Sequence, residues 1–335
     1  MAISAASIAA RSARLLSAGA FALLASGFAA HAETRSLDEL LAAVVRVKTV
    51  IEPDARTADS LGREREGSGV VIDGDGLVLT IGYLMVEART AEIGTQDGRT
   101  VPAAVVGYDH ETGFGLLRGL VPLKVAPIAF GRSADVKEAD PVLVASAGGA
   151  AMVAPARVVA KREFAGSWEY LVGEALFTAP PHPAWSGAAL INRDGRLVGI
   201  GSLIVGDAAG GTPGNMFVPT DGLHPILGDL LAAGRVSGPG RPWLGVAANE
   251  VRGALVVARV TPGAPAEQAG VRAGDTIVAV NGETVGTLAA FYRKVWAQGG
   301  ARAVVTLELS RNDETRRIEV RSMNRLDHLR LKSSL

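Results

Sequence analysis

The sequence predicts a mostly β protein of two domains, and three observations carry that reading. Short apolar runs rich in Val, Ile and Leu recur between residues 44 and 218, each bounded by Gly, Pro, Asp or Asn. At 335 residues the chain is long for a single core. A stretch at 234–242 carrying Gly, Pro and Ser then separates two segments of different character.

At the start, Arg11 and Arg14 precede an apolar, small-residue stretch at 15–30. It is too short and too rich in Gly and Ser for a membrane span, and Ala30-His31-Ala32 has the form of a signal-peptidase site. Residues 1–32 are therefore read as an export signal. No later stretch is long and apolar enough to span a bilayer. Residues 44–47 read as a strand, and 52–66, polar without periodicity, as a mobile loop. Strand-like runs follow at 69–72, 77–80, 103–106, 115–117, 142–145, 156–159, 188–192, 197–200 and 216–218, which argue for a barrel or a sandwich. Residues 224–233 have helical spacing and close a first domain spanning 33–233. After the linker at 234–242, residues 243–322 form a β-rich second domain with two helical signals, at 264–270 and 288–296. Residues 323–335 read as a basic tail.

Composition narrows the function. Lys plus Arg and Asp plus Glu balance at 34 each, and removal of the signal takes away two Arg and no acid, leaving a net charge near −2. That is no footprint for nucleic acid or an anionic membrane. There is no Cys, so thiol catalysis, disulfides and Cys-ligated zinc are excluded. The five His are scattered with no ligand-like spacing, so neither a metal nor a cofactor is expected.

Five segments, in order and spacing, resemble the HtrA-type (DegP-like) serine proteases. Gly67-Ser68-Gly69-Val70-Val71-Ile72-Asp73, with Gly76 to Leu84, resembles the strand pair that carries the catalytic histidine. Tyr108 to Arg118 resembles the segment with the catalytic aspartate. Pro183 to Asn192 resembles the nucleophile loop, and 195–200 with 216–219 resemble the strands after it. Arg241-Pro242-Trp243-Leu244-Gly245-Val246 resembles the opening of a PDZ module, supported by Gly274 to Gly282. The resemblance implies a trypsin-like double six-stranded β-barrel followed by one α+β PDZ domain. Family members usually form trimers through aromatic side chains near the N-terminus. Residues 33–50 contain none, so a homo-oligomer is implied only in general terms.

The resemblance also locates a degenerate site. Tyr83 stands at the histidine position, Gly113 at the aspartate position and Ser186 at the nucleophile. A serine hydroxyl needs a base, and a phenol with a pKa of about 10 is a poor one at neutral pH, where an imidazole near 6.5 is apt. Losing both partners is coherent, because a buried aspartate without its histidine is an unpaired charge. In the oxyanion loop, Ala184 replaces a glycine and Trp185 an asparagine. A β-carbon at 184 disfavours positive φ. His110, His182 and Lys161 match no triad position. The sequence therefore predicts no working enzyme. In the PDZ module, backbone N–H groups of Trp243, Leu244, Gly245 and Val246 are expected to receive a peptide carboxylate, with Leu244, Val246, Phe291 and Val295 lining an apolar pocket. The expected partners are polypeptide C-termini or unfolded proteins in the periplasm, in quality control or as an adaptor. A peptidase using Ser186 with another base, and a structural subunit, are the alternatives.

Overall fold

The computed structural model describes residues 36–331, so the export signal expected at 1–32 lies outside the described residues. Helix α1 (Leu37–Ala42) opens with a capping box. Ser36 Oγ accepts from the Glu39 N–H, and the Glu39 carboxylate accepts from the Ser36 N–H. It leads into β1 (Val44–Ile51), where exposed Arg46 and Lys48 alternate with buried Val45 and Val47, the period of a strand with one wet face. After α2 (Ala58–Leu61) come β2 (Glu64–Val71), β3 (Leu77–Ile81), β4 (Ala88–Gly94), β5 (Thr100–Tyr108) and β6 (Phe114–Gly119). They close a barrel in the order β1-β2-β3-β6-β5-β4. All of β3 is buried, as its unbroken apolar run requires.

The second barrel contains β7 (Pro141–Ala145), β8 (Val153–Gly166), β9 (Tyr170–Ala179), β10 (Ala189–Ile191), β11 (Leu197–Ala209) and β12 (Thr212–Pro219), closed in the order β10-β11-β12-β9-β8-β7. Helix α3 (Leu227–Ala233) ends at Gly234, whose φ of 69° supplies the left-handed cap. The Gly234 carbonyl accepts from the Tyr108 N–H, fastening that helix end to β5. The last sheet has β13 (Val246–Val251), β14 (Ala254–Val260), β15 (Thr276–Val280), β16 (Glu283–Thr284), β17 (Val304–Arg311) and β18 (Glu314–Arg321). Its helices are α4 (Pro265–Gln268) and α5 (Leu288–Trp296). The predicted double barrel and PDZ domain are thus observed.

Two expectations are corrected. Residues 52–66 are not a loose loop: they hold α2 and the start of β2. The Glu87 carboxylate accepts from the N–H groups of Arg56 and Thr57 at 3.0 and 2.8 Å and from Thr57 Oγ1 at 2.6 Å. Burial works against that carboxylate, but these bonds outweigh it and hold its pKa below the usual range. The predicted tail from residue 323 is not free either. Met323 pairs with Trp243, helix α6 (Arg325–His328) follows, and the Arg330 N–H returns to Glu87 at 2.7 Å.

The PDZ sheet and the second barrel meet at the β8–β9 turn. Tyr292 of α5 is 1% exposed; its hydroxyl donates to the Gly166 carbonyl at 2.6 Å and accepts from the Glu169 N–H at 3.2 Å. Removing it takes a hydrogen-bond partner from two buried backbone groups. Tyr292→Phe is expected to lower stability by about 1–3 kcal/mol, read as a shift in the urea unfolding midpoint. An unchanged midpoint would show that water replaces the hydroxyl.

Candidate functional site

Ser186 sits where the two barrels touch. Its carbonyl accepts from the Ser68 N–H of β2 at 2.8 Å, and the next residue, Gly187, donates to the Gly201 carbonyl at 2.9 Å. Two glycines permit this approach. A β-carbon on Gly67 would lie 2.7 Å from the Ser186 carbonyl oxygen and 3.0 Å from its Oγ. One on Gly187, at φ +72°, would lie 1.9 Å from the Ser68 carbonyl oxygen. No other residue fits at 187, where both the space and the left-handed backbone demand glycine.

Tyr83 leaves the end of β3 in a 3-10 turn, Gly82–Leu84. Buried Arg65 donates to the Tyr83 carbonyl at 2.7 Å and to the Val86 carbonyl at 3.1 Å, which fixes the turn. Burial lowers the Arg65 pKa to about 10, with Glu87 opposing. The Tyr83 Oη lies 2.9 Å from Ser186 Oγ and 2.9 Å from the Ser202 carbonyl oxygen. A phenol has one proton. When it donates to Ser202, whose carbonyl can only accept, Oη is left to accept from the Ser186 hydroxyl. Burial pushes the Tyr83 phenol up to about 12, while hydrogen bonding to Ser186 and Trp185 pulls the other way.

Gly113 has φ +83°, and its carbonyl accepts from the Gly82 N–H at 2.7 Å. A β-carbon there would lie 2.9 Å from Tyr170 Oη. That hydroxyl donates to the Thr112 carbonyl at 2.7 Å, and burial raises its pKa well above the usual tyrosine value. A second phenol thus stands against the position where the family's acid would be. Nearby Asp109 is buried, but it caps its own turn, accepting from the Thr112 N–H and Oγ1, each at 2.7 Å.

The other candidate bases are engaged elsewhere. His110 Nδ1 faces the Tyr108 hydroxyl at 3.2 Å, and its Nε2 faces the Arg325 guanidinium at 2.6 Å and the Glu169 carbonyl at 3.3 Å. Burial first, then Arg325, holds His110 neutral, well below the usual histidine range. Burial also lowers the His182 pKa, and its Nδ1 accepts from the Ala184 N–H at 3.1 Å. Ala184 has no positive φ, the conformation its β-carbon disfavours, and its N–H is taken by His182. Lys161 donates to the Ala134 carbonyl and pairs with Glu174.

In the PDZ module the loop expected to receive a peptide carboxylate is already engaged. The N–H groups of Leu244, Gly245 and Val246 donate to the Glu169 carboxylate at 3.0, 2.6 and 2.9 Å. Trp243 pairs instead with Met323 and stands 4.9 Å from the His328 ring. Leu244, Val246, Phe291 and Val295 are all within one buried cluster, against which Ala165 and Leu171 pack. A cavity of about 640 Å³ lies between the domains. Ser186, Tyr83, Trp185 and Trp168 line it from the barrels, and Ala247 and Asn249 from β13. The sequence brought Tyr83, Gly113, Ser186 and the 243–246 loop to notice. It gave no sign of Ser202, Tyr170 or Glu169, which belong to no motif and act from distant elements.

Gly113→Asp should cost stability, since it forces a side chain into left-handed backbone against Tyr170, about 1–3 kcal/mol. Tyr83→His should cost less. Thermal unfolding of the two single variants separates them, and equal or larger loss in Tyr83→His would contradict the packing described.

The sequence matches the family models of the trypsin-like peptidase domain at 67–200 and the PDZ domain at 242–321. HhoA of Synechocystis sp., whose name assigns it to the serine proteases, is 30% identical over 278 residues, covering 74% of this chain and 68% of HhoA. The periplasmic pH-dependent serine endoprotease DegQ of Escherichia coli K12 is 28% identical over 270 residues, but the chain spans only 58% of it. Among solved structures, the HtrA-type protease AlgW with decapeptide superposes with a TM-score of 0.52 at 21% identity, covering 89% of this chain and 100% of AlgW, a likeness of fold. These relatives overturn the expectation of a chain that is no enzyme: they are named as serine proteases, and the match runs through the segment that holds Ser186. The chain belongs to the HtrA-type family of trypsin-like serine proteases carrying a PDZ domain.

Proposed function

We propose that this protein is an exported, periplasmic serine peptidase of envelope protein quality control. It takes hold of polypeptide C-termini through its PDZ domain and uses Ser186 as nucleophile with Tyr83 as proton acceptor. The observation that carries the reading is the 2.9 Å contact between Tyr83 Oη and Ser186 Oγ, on a cavity whose far wall is the PDZ strand β13. The periplasmic setting rests on DegQ, a periplasmic endoprotease by name. No helix among the described residues is long and apolar enough to cross a membrane. That AlgW was solved with a decapeptide supports a peptide as the ligand class.

The chemistry follows from the phenol. Ser186 Oγ attacks the substrate carbonyl carbon while its proton passes to the Tyr83 phenolate. The peptide nitrogen then departs with that proton, returned by the Tyr83 phenol, and a water attacks the acyl carbon, its proton passing through the regenerated phenolate to Ser186 as the acyl group leaves. Only the phenolate is an effective base. With the phenol near 12, about one molecule in 10⁴ holds it at pH 8, so turnover is slow at neutral pH. Among the described residues the Ser186 N–H makes no hydrogen bond, so it is free to donate to the carbonyl oxygen as it becomes negative, whereas the Ala184 N–H is not.

Casein hydrolysis tests this. The rate should rise about tenfold per pH unit between pH 7 and 10, because the population of phenolate does. Ser186→Ala should abolish it, and Tyr83→Phe should remove the alkaline rise while leaving the fold intact. A flat profile, or turnover that survives Ser186→Ala, would overturn the assignment. For the PDZ domain, affinity for a free apolar C-terminus is expected in the micromolar range, about −7 to −8 kcal/mol, because a short peptide buries modest area and loses entropy on binding.

A further inference from the structure

The turn joining β8 to β9 lies across the PDZ domain in the manner of a bound peptide. Three consecutive N–H groups, of Leu244, Gly245 and Val246, converge on one carboxylate, that of Glu169. Gly245 makes the convergence geometrically open to them. Its φ is +82°, and a β-carbon would lie 2.2 Å from that of Ala264. Such a run of amides is an anion-binding nest. Two residues earlier, the Ser167 carbonyl accepts from the Ala248 N–H at 3.1 Å, on the edge of β13 that β14 leaves open. On either side, Ala165 and Leu171 pack against the cluster that contains Leu244, Phe291 and Val295. Carboxylate in the loop, backbone on the strand edge and apolar side chains over the pocket are the three contacts an extended C-terminal peptide makes with a PDZ groove.

Glu169 itself points to a position shaped by this contact. Its φ is +57°, a backbone region that favours glycine and that a non-glycine residue occupies only when held there. It is 4% exposed, yet both its carboxylate oxygens accept from backbone N–H groups. The turn is braced from behind, since Arg325 donates to the Trp168 carbonyl at 2.9 Å and Tyr292 holds Gly166 and the Glu169 N–H.

We infer that the Glu169 turn is an internal ligand of the PDZ domain, occupying its carboxylate loop, so that a polypeptide C-terminus binds only by displacing it. The inference rests on the peptide-binding reading above and deepens it with a mode of regulation. Displacement divides the apparent affinity by the fraction of molecules in which the loop is open. A groove closed by its own chain therefore selects for ligands that are abundant or tight.

The test uses the chain from residue 33 to 335 as wild type, Glu169→Gly and Glu169→Gln. Glycine removes the carboxylate and relieves the left-handed backbone; glutamine keeps the shape and removes the charge, and guards against a folding defect in the first. Hydrogen exchange at 244–246 is measured without peptide. Binding is then measured to a fluorescent decapeptide ending in Leu-Val-Val, with a free carboxylate or amidated. The expected result is exchange at 244–246 at least tenfold faster in Glu169→Gly than in wild type. Affinity for the free peptide should be about tenfold higher or more, with Glu169→Gln between the two and no gain for the amidated peptide. Equal exchange in wild type and Glu169→Gly, or equal peptide affinity, would overturn the inference. Faster exchange with no peptide bound by any variant would uphold Glu169 as the occupant of the loop and defeat the reading of the PDZ domain as a C-terminus reader.

Discussion

The seam between β2 and the Ser186 loop is the constraint on which the site depends. A backbone hydrogen bond, from the Ser68 N–H to the Ser186 carbonyl, joins the two barrels at Ser186. It forms because Gly67 and Gly187 have no side chains to hold the backbones apart. Thr80 adds to the same seam, its hydroxyl donating to the Ser68 carbonyl at 2.7 Å. With the seam fixed, Ser186 is placed against whatever the end of β3 presents, and here that is Tyr83.

Two phenols stand where the family has an imidazole and a carboxylate. The exchange has an electrostatic logic. An aspartate beside a lost histidine would be a buried charge with no partner, which costs several kcal/mol. Neutral Tyr83 and Tyr170 fill the volume, and each satisfies its hydroxyl on a backbone carbonyl, at Ser202 and Thr112. The same burial that makes neutral phenols comfortable raises their pKa values. Stability is linked to this in a definite direction. A phenol that binds its proton more tightly when folded contributes stability below the unfolded pKa, about 10. For Tyr83 that contribution is lost as pH rises from there toward about 12. A packing solution good for the fold therefore keeps the Tyr83 phenol protonated beside Ser186 near neutrality.

What the sequence revealed follows from how local each signal is. Residues 77–80 and 197–200 are apolar runs between turn residues, and their strands were legible from neighbours alone. The strand 88–94 mixes Arg, Glu and Thr on its wet face with Ala91 and Ile93 inside, a pattern too short to stand out before its partners are known. Residues 52–66 looked loose because what holds them is Glu87, about 30 positions on. Tyr83, Gly113 and Ser186 were found because the flanking motifs fix their positions. The state of the PDZ loop could not be found that way. Its sequence is intact, but its occupant, Glu169, lies 75 to 77 positions earlier, in a turn with no motif.

The β8–β9 turn is consequently the place where the two halves of the molecule are tied. In three consecutive residues it carries Trp168, which lines the cavity beside Ser186; Glu169, which fills the PDZ loop; and Tyr170, which stands against Gly113. The rings of Trp168 and Tyr170 are stacked at 5.6 Å, so the two flanks of Glu169 move as a unit more readily than apart. Arg325 completes the tie from the C-terminal segment, donating to the Trp168 carbonyl while facing His110. Burial lowers the pKa of that guanidinium, with Tyr108 and Glu169 opposing. A buried cation held by a neutral histidine and a backbone carbonyl is expensive to leave without them. Residues 323–330 thus act as a clamp on the turn, which explains why a stretch that reads as a basic tail folds back onto the protein.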